Sequence, residues 1–166
     1  AQQPAYFILG KEQFEGIQIY DVIQDLEYNY WFATDEGLFR YDGYHYTKVD
    51  CSEMRGLAVF SFVMNEQGII FCHNLNSQIF RIKNGRCEVF YELTKEERSS
   101  DIHLMITEEN QLLLITRMLI LLDEQGSKKL LSEKGGYYYS PPFKTATGQI
   151  IWDLLNVDSL VVFEKG

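Results

Sequence analysis

The stretch "YWFATDEGLFRYDGYHY", residues 30–46, decides how this chain folds. Two runs of aromatic and aliphatic residues are joined by an Asp-Glu-Gly corner, and the second run ends in Asp-Gly before a third run begins. Aromatic residues favour strands, and the glycine of Asp-Gly tolerates the positive φ that tight hairpin turns require. The stretch therefore predicts an antiparallel meander with short turns.

The turn that closes this stretch recurs along the chain. Four dipeptides ending in glycine follow short apolar runs at intervals of 42, 41 and 40 residues, and each run is predicted to be a third strand. These dipeptides end at Gly43, Gly85, Gly126 and Gly166. Upstream of each lies a second turn followed by another apolar run, predicted to be a second strand. The residues that precede these runs are Asn29, Gly68, Asn110 and Gly148.

Two further runs complete each repeat. "IQIYDVIQD" (17–25) aligns with "LAVFSFVMN" (57–65), and both are predicted first strands. "YHYTKV", "RCEVFY" and "SKKLLS" follow the first three late glycines and are predicted fourth strands. A repeat of ~40 residues with four antiparallel strands is typical of a β-propeller blade and not of a two-helix solenoid. We predict an all-β, β-propeller-type fold with about four blades.

The predicted boundaries leave the two ends of the chain complementary. Residues 1–16 hold an outer strand of a closing blade, blades follow at 17–50, 57–93 and 101–132, and an incomplete blade occupies 143–166. "YFIL" (6–9) precedes Gly16 at the distance by which "YTKV" (46–49) precedes Gly56. The N-terminal strand is therefore expected to complete the last blade, which would remove an exposed sheet edge. Closure within one chain, completion by a partner chain and a fragment of a larger propeller remain as alternatives.

Composition excludes two classes of partner. The formal net charge of -9 repels a phosphate backbone, so no nucleic acid is expected to bind. The longest apolar run, residues 112–122, is interrupted by Thr116 and Arg117 and is shorter than the ~20 residues of a membrane helix. We expect no membrane contact within this segment.

The N-terminus and the cysteines bear on the compartment. "AQQPAYF" lacks an initiator Met and an apolar signal core, as in a mature periplasmic or otherwise extracytoplasmic chain after signal-peptide removal, or equally in a shortened chain. Cys51, Cys72 and Cys87 are too few and too irregularly spaced for a disulfide scaffold or a zinc site. They are predicted to be free structural thiols, and neither a metal nor a cofactor is expected.

The first repeat resembles a known family. Residues 22–43, "VIQDLEYNYWFATDEGLFRYDG", resemble the two-component regulator propeller repeat, I-x-Q-D-x-x-G-x-x-W-x-G-T-x-x-G-L-x-R-Y-D-G. Asn29 and Ala33 stand where that pattern usually has glycine. The other repeats keep the period and the apolar pattern but few signature residues. The matching positions are Gln24, Asp25, Trp31, Thr34, Gly37, Leu38, Arg40, Tyr41, Asp42 and Gly43.

The resemblance implies a function. Proteins with this repeat resemble the extracytoplasmic sensor regions of bacterial sensor histidine kinases, including hybrid ones, in which propellers precede a small β-sandwich, a membrane span and a kinase. Several such sensors respond to oligosaccharides. The chain is accordingly expected to be the N-terminal part of a ligand-sensing module for signal transduction, without kinase machinery.

The signature residues are predicted to be structural. Trp31 and Trp152 are expected to pack between blades, with stacking on a sugar as the alternative. Asp25 is expected to accept local backbone hydrogen bonds, and residues 41–43 to provide turn chemistry.

Ligand-binding residues are expected on loops at one rim, because function concentrates on connections carried by a rigid scaffold. The turns between second and third strands share this rim in a propeller and supply most of the candidates. "GGYYYSPP" (135–142) could add aromatic rings, although its alternate tyrosines could instead belong to a strand. The candidate residues are Asp35, Glu36, His73, Asn74, Arg117, Tyr137, Tyr139, Asn156 and Asp158.

No catalytic motif accompanies these residues. The three histidines are scattered, and no HExxH, GxSxG or phosphate-loop pattern occurs. We predict a non-catalytic sensor that binds a carbohydrate or another small ligand. The alternatives are a structural module that associates with a second copy or with remaining propeller blades, and a less favoured propeller lyase with a metal or a His/Tyr/Arg constellation at its axis.

Overall fold

A computed structural model describes residues 10–133, 141–153 and 160–163, and the sequence-predicted strands within these ranges are present. The strands are β1 (Ile19–Gln24), β2 (Tyr30–Thr34), β3 (Gly37–Tyr41), β4 (Tyr46–Val49), β5 (Val59–Met64), β6 (Ile70–Asn74), β7 (Gln78–Lys83), β8 (Arg86–Glu92), β9 (His103–Ile106), β10 (Leu112–Ile115), β11 (Leu119–Leu122), β12 (Lys128–Ser132), β13 (Phe143–Lys144), β14 (Ile150–Asp153) and β15 (Leu160–Phe163).

The strands form four antiparallel sheets in which sequence neighbours pair. Blade 1 is β1–β4, blade 2 is β5–β8, blade 3 is β9–β12, and blade 4 comprises the three described strands β13–β15. The first strands of consecutive blades contact one another, β1 with β5 and β5 with β9, so they lie nearest a common axis. The predicted all-β, propeller-type fold is confirmed.

Alternation along each strand builds the core between blades. Successive side chains of a strand point to opposite faces of its sheet. In β6, Cys72 joins a cluster shared with blade 1, whereas its neighbour Phe71 joins a cluster shared with blade 3. In β10, Leu114 faces blade 2 and Leu113 faces blade 4. Blades 2 and 3 are therefore covered on both faces, which explains the nearly continuous apolar runs in their second strands.

Both tryptophans lie in these clusters, on opposite faces of their blades. Trp31 packs between blades 1 and 2, and Trp152 packs between blades 3 and 4. Each side chain is only 1% exposed. Neither ring therefore presents a face for stacking on a ligand.

The turn between first and second strands has the same geometry in all four blades. Its first residue is Asp25, Asn65, Thr107 or Thr145, and in each case the side-chain oxygen accepts a hydrogen bond from the backbone N–H four residues later. The fourth residue has positive φ in every copy. These left-handed residues are Tyr28, Gly68, Asn110 and Gly148.

The sequence analysis aligned Asn29 with Gly68, Asn110 and Gly148, and this alignment is wrong by one residue. Tyr28 has φ of 66° and is the structural counterpart of Gly68. Asn29 instead corresponds to Ile69, and its side chain is buried against Asp25. A tyrosine at a position that favours glycine hid the alignment, since left-handed backbone is uncommon for bulky residues.

The prediction of three free thiols is wrong for two of them. Cys51 and Cys87, 36 positions apart in sequence, form a disulfide with Cα atoms 4.8 Å apart. The connection that leaves β4 runs beside β8 of the next blade, where the two residues also form an isolated parallel bridge. Cys72 remains a free, buried thiol. Spacing alone could not reveal this pairing, because it depends on how blade 2 packs against blade 1.

The outward face of blade 1, the face turned away from blade 2, is partly covered by the preceding segment. The ring of Phe14 lies 4.7 Å from that of Phe32 and 5.4 Å from that of Tyr46, measured between centroids. The corresponding face of blade 4, turned away from blade 3, exposes Phe143 (56%) and Val162 (47%). Among the described residues, the three core clusters join consecutive blades, and none joins blade 4 to blade 1.

Some predictions lie outside the described ranges. The strand expected at residues 6–9 belongs to them, so closure of the ring by that strand stays a prediction. Within the ranges that the structure does describe, no helix is long and apolar enough to cross a membrane.

Candidate ligand site

The turn between β2 and β3 holds the first two predicted rim residues. Oδ1 of Asp35 accepts a hydrogen bond from the backbone N–H of Gln18 at 2.9 Å, and the N–H of Asp35 donates to the carbonyl of Gln18 at 3.1 Å. Glu36 lies 3.8 Å from the Nζ of Lys48, and both side chains are about half exposed. Asp35 thus anchors the start of the inner strand, while Glu36 points toward solvent.

Asn74 lies at the end of β6 and is fully enclosed. Its side chain is 1% exposed. Its Nδ2 donates to the carbonyl of Arg55 at 2.9 Å and to Oε1 of Gln78 at 3.0 Å, and its Oδ1 accepts from the backbone N–H of Gln78. Gln78 also holds the backbone of Arg55 and Glu53. These amides fix the connection between blades 1 and 2, which explains two polar residues at buried positions.

Arg117 is exposed in the turn between β10 and β11, at the same end of the sheets as Asp35 and Glu36. The neighbouring hydroxyl of Thr116 accepts the N–H of Met118 and closes the turn. The remaining predicted rim residues, Tyr137, Tyr139, Asn156 and Asp158, lie outside the described ranges.

His73 belongs to a group of rings near the axis that the sequence did not reveal. Tyr20 of β1 and Phe60 of β5 lie 4.5 Å apart between ring centroids, across the contact of blades 1 and 2. Phe60 in turn stacks on His73 at 5.7 Å. His103 begins β9 and interacts electrostatically with His73. We call Tyr20, Phe60, His73 and His103 the axial row.

Two β-bulges position the axial row. The pairing of β1 with β2 shifts between Ile19 and Asp21, and that of β5 with β6 shifts between Phe60 and Val63. Bulges re-aim side chains and are frequent beside functional sites. Oδ2 of Asp21 accepts the backbone N–H of Phe62 at 2.6 Å and ties the two bulged strands together. The bulges depend on pairing between strands, so a strand pattern read from sequence does not show them.

The two imidazoles of the axial row are neutral near pH 7. Burial lowers the pKa of His73 to about 4, a hydrogen bond with the backbone of Asn74 opposes this shift, and His103 reinforces it. Burial also lowers the pKa of His103, against the attraction of Asp101. The Nδ1 of His73 is buried without a hydrogen-bond partner among the described protein atoms. The row therefore offers aromatic faces and uncharged imidazole nitrogens.

A cleft of about 1140 Å³ opens between blades 3 and 4, at the end of the sheets opposite the predicted rim. Its apolar floor is Leu121, Leu131 and Phe163. Polar groups from the turns of both blades surround this floor, and the sequence analysis did not identify them as a group. They include Thr107, Glu108, Glu109, Asp123, Lys129 and Gln149.

Among residues 10–133, 141–153 and 160–163, there is no group of three or more His, Cys, Asp or Glu side chains that could hold a metal ion. The candidate sites of the described chain are formed by rings, amides and single charges.

Four meander sheets arranged around adjoining inner strands define this chain as a β-propeller-type protein. No family model matches the sequence, and comparison with curated protein sequences finds no match. Solved structures do share the fold. The extracellular domain of BT4673 from B. thetaiotaomicron, described as a one-component or hybrid two-component system, superposes with a TM-score of 0.62 at 16% identity.

Two more solved structures show the same fold. Virginiamycin B lyase from Staphylococcus aureus gives a TM-score of 0.63 at 13% identity over 88% of this chain. The extracellular domain of BT3049 from B. thetaiotaomicron, described as a hybrid two-component system, gives 0.58 at 15% identity over 82% of this chain. The present chain spans 20% of the length of the extracellular domain of BT4673 or BT3049 and 55% of the lyase.

Proposed function

We propose that this chain is part of the extracytoplasmic ligand-sensing region of a two-component sensor histidine kinase and that it binds an oligosaccharide without catalysis. The axial row is the observation that carries the binding proposal. The fold shared with extracellular domains of two-component systems and the signature residues of the first repeat support the sensor role.

The chemistry of the axial row suits an uncharged sugar. Tyr20 is 45% exposed and stands beside Phe60, so a pyranose C–H face can pack on the paired rings. Aromatic rings supply contact area at low conformational cost, while a few placed polar groups fix orientation. The neutral imidazole of His103 can exchange hydrogen bonds with sugar hydroxyls. Asp35, Glu36 and Arg117 lie at the same end of the blades and would contact the outer part of a longer ligand.

The disulfide supports the extracytoplasmic location. Disulfides persist in oxidising compartments and are rare in the cytosol. Cys51 and Cys87 are paired in the structure, and the similar domains of BT4673 and BT3049 are extracellular by description. Mass spectrometry of alkylated protein isolated from the native host would test the location, with a fully reduced pair counting against it.

Calorimetric titration with neutral and acidic oligosaccharides tests the binding proposal. We expect one class of glycan to bind, and Tyr20→Ala to weaken that binding by at least about tenfold, which corresponds to 1.4 kcal/mol. Tyr44→Ala is the matched control, because Tyr44 is more exposed than Tyr20 and lies in the turn between β3 and β4, at the opposite end of blade 1. Absence of binding by every glycan class, or equal losses in the two variants, would contradict the proposal.

A second candidate function is a structural module that associates through its outer faces. The exposure of Phe143 and Val162 on the outward face of blade 4 favours it. Light scattering after size-exclusion chromatography measures association, and the glycan titration measures ligand binding. A purely structural module should associate and leave all glycans unbound.

A further inference from the structure

We propose that the groove between the outer strands of blades 1 and 2 binds a single carboxylate on a hydroxyl-bearing ligand, which is the chemistry of a sugar acid, and that Arg40 binds this carboxylate. The groove lies along the fourth strands β4 and β8, whereas the axial row lies near the common axis. It is therefore a second site, separate from the one that the proposed function uses.

The contact of blades 2 and 3 shows how an arginine at this position in a blade is satisfied. Arg81 of β7 lies directly opposite Glu88 of β8. Oε1 of Glu88 accepts hydrogen bonds from Nε of Arg81 at 2.8 Å and from its Nη2. Nη1 of Arg81 donates to the carbonyl of Glu124, in a turn of blade 3, at 2.9 Å. The guanidinium also lies 4.7 Å from the centroid of the Phe90 ring. A carboxylate, a carbonyl and a ring thus surround one guanidinium.

Arg40 has the same place in blade 1 but a different partner strand residue. It is the fourth residue of β3, as Arg81 is of β7, and its guanidinium lies 5.9 Å from the centroid of the Trp31 ring. Opposite it stands Thr47, where Arg81 has Glu88. Nε of Arg40 is buried without a hydrogen-bond partner, and Arg40 forms no ion pair within the described part of the chain. A carboxylate from a ligand would give this guanidinium the partner that Glu88 gives Arg81.

A groove of about 680 Å³ lies beside Arg40. One wall is formed by residues 47–52, from β4 and the connection that follows it, and the other by residues 85–87 at the start of β8. Arg40 reaches this second wall, because a Cβ added at Gly85 would lie 3.7 Å from its Nη1. The disulfide between Cys51 and Cys87 joins the two walls. The spacing between the walls is therefore constrained covalently.

The charges and hydroxyls of the groove favour one carboxylate over a denser anion. An arginine can bind a carboxylate through two parallel N–H groups. Asp50 would repel a dianion such as phosphate more strongly than a monoanion. Asp50 also offers acceptors for ligand hydroxyls, and Thr47 and Ser52 add hydroxyls of their own. The lining is net positive, in a chain whose formal net charge is -9, and its charged members are Arg40, Lys48, Asp50 and Arg86.

Nuclear magnetic resonance of nitrogen-15-labelled protein tests the site by titration with galacturonate, galactose and inorganic phosphate. We expect galacturonate to shift the Nε–Hε resonance of Arg40 and the backbone amide resonance of Cys87 in a saturable way. Galactose should leave both unchanged, and phosphate should bind more weakly than galacturonate. Added sodium chloride should weaken the binding of galacturonate, because salt screens an attraction between charges. No saturable shift, equal shifts with galactose, or phosphate that binds as tightly as galacturonate would overturn the proposal.

Substitutions at Thr47 separate a binding role of Arg40 from a purely structural one. Thr47→Glu places a carboxylate opposite Arg40, as Glu88 stands opposite Arg81, and should weaken galacturonate binding by at least about tenfold. Thr47→Gln is the matched control, since it has the same size without the charge and should bind nearly as the parent protein does. Thr47 is exposed, so neither change removes a buried contact. Equal affinities of the two variants for galacturonate would contradict the proposal.

One further comparison separates this inference from the proposed function. Tyr20→Ala, which should weaken oligosaccharide binding at the axial row, should leave the galacturonate-induced shift of Arg40 unchanged. Thr47→Glu should conversely leave oligosaccharide binding at the axial row unchanged. Loss of the Arg40 shift in Tyr20→Ala would show that the groove is not a separate site and would overturn the inference.

Discussion

Replacing Asp25 by alanine should destabilise blade 1 far more than replacing a comparable turn residue elsewhere. Its carboxylate accepts hydrogen bonds from Trp31 Nε1 at 2.8 Å, from the backbone N–H of Asn29 at 2.8 Å and from that of Glu27 at 2.9 Å. It also accepts Nδ2 of Asn29 at 2.9 Å. One side chain thus holds both the turn and a buried tryptophan.

The expected loss of stability follows from these partners. Hydrogen bonds to a charged group contribute about 1.5–3 kcal/mol each, but bonds that share one carboxylate do not add. Alanine would also leave the indole N–H of Trp31 buried without a partner, which costs about 1–3 kcal/mol. We expect the free energy of unfolding to fall by about 3–4 kcal/mol.

Urea unfolding followed by circular dichroism measures this loss. Asp123→Ala is the control, because Asp123 accepts only two backbone N–H groups in an exposed turn and should lose about 1 kcal/mol. In a Trp31→Phe background the effect of Asp25→Ala should shrink, since the buried donor is gone. A loss below 1 kcal/mol for Asp25→Ala, or one equal to that of Asp123→Ala, would refute this reasoning.

The stability of the protein at acid pH should depend on the same carboxylate. Burial is the largest single influence and raises the pKa of Asp25, but hydrogen bonds from Trp31, Asn29 and Glu27 together outweigh it and hold the pKa below its usual value of 3.8. Because the pKa of Asp25 is lower in the folded than in the unfolded protein, its ionised carboxylate stabilises the fold fully above the unfolded pKa. This stabilisation is lost as pH falls through the folded pKa. As pH falls below about 3.8, the free energy of unfolding should therefore decrease less in Asp25→Ala than in the parent protein.

Three other predictions concern separate parts of the molecule. Reducing the disulfide, or replacing Cys51 and Cys87 by serine, should lower the free energy of unfolding in urea by about 4 kcal/mol for a loop of this length, and an unchanged midpoint would contradict it. Because burial lowers the pKa of His73 to about 4, the unfolded chain binds more protons between pH 6.5 and pH 4, so stability should fall by about 3 kcal/mol over that interval. The share of this dependence that His73 causes should be lost in His73→Phe and kept in His45→Asn, where the side chain is exposed. Tyr28→Gly should raise the thermal midpoint, with a gain of up to about 1 kcal/mol, because the residue has φ of 66° and is largely exposed; destabilisation would count against the turn assignment.

Much of the fold was predictable because its signals are local. Apolar runs specify strands, and turn residues at a spacing near 40 specify where each meander reverses, as in the turn between β3 and β4 that holds Gly43. These signals hold even where the signature residues of the first repeat are lost. The local signal fails at Tyr28, where a bulky residue occupies a left-handed position and shifts the apparent alignment by one residue.

The candidate site was less predictable, because it depends on contacts between blades. His73 and Asn74 are polar residues near a turn, as solvated rim residues would be, yet both are buried in β6. Tyr20 and Phe60 are separated by 40 positions in sequence and meet only because their inner strands adjoin. Residues that lie in the predicted rim turns, Asp35 and Glu36, were placed at the expected end of blade 1, since a turn between paired strands is itself local.

The sequence by itself determined the strands and their order within each sheet, because hydrogen-bonded pairing and tight turns depend on residues that are neighbours in sequence. Only the tertiary structure decided which cysteines pair, which rings meet near the axis and where a cleft stays open between blades. Those features depend on the packing of one sheet against the next, and residues some forty positions apart carry no local pattern that records it.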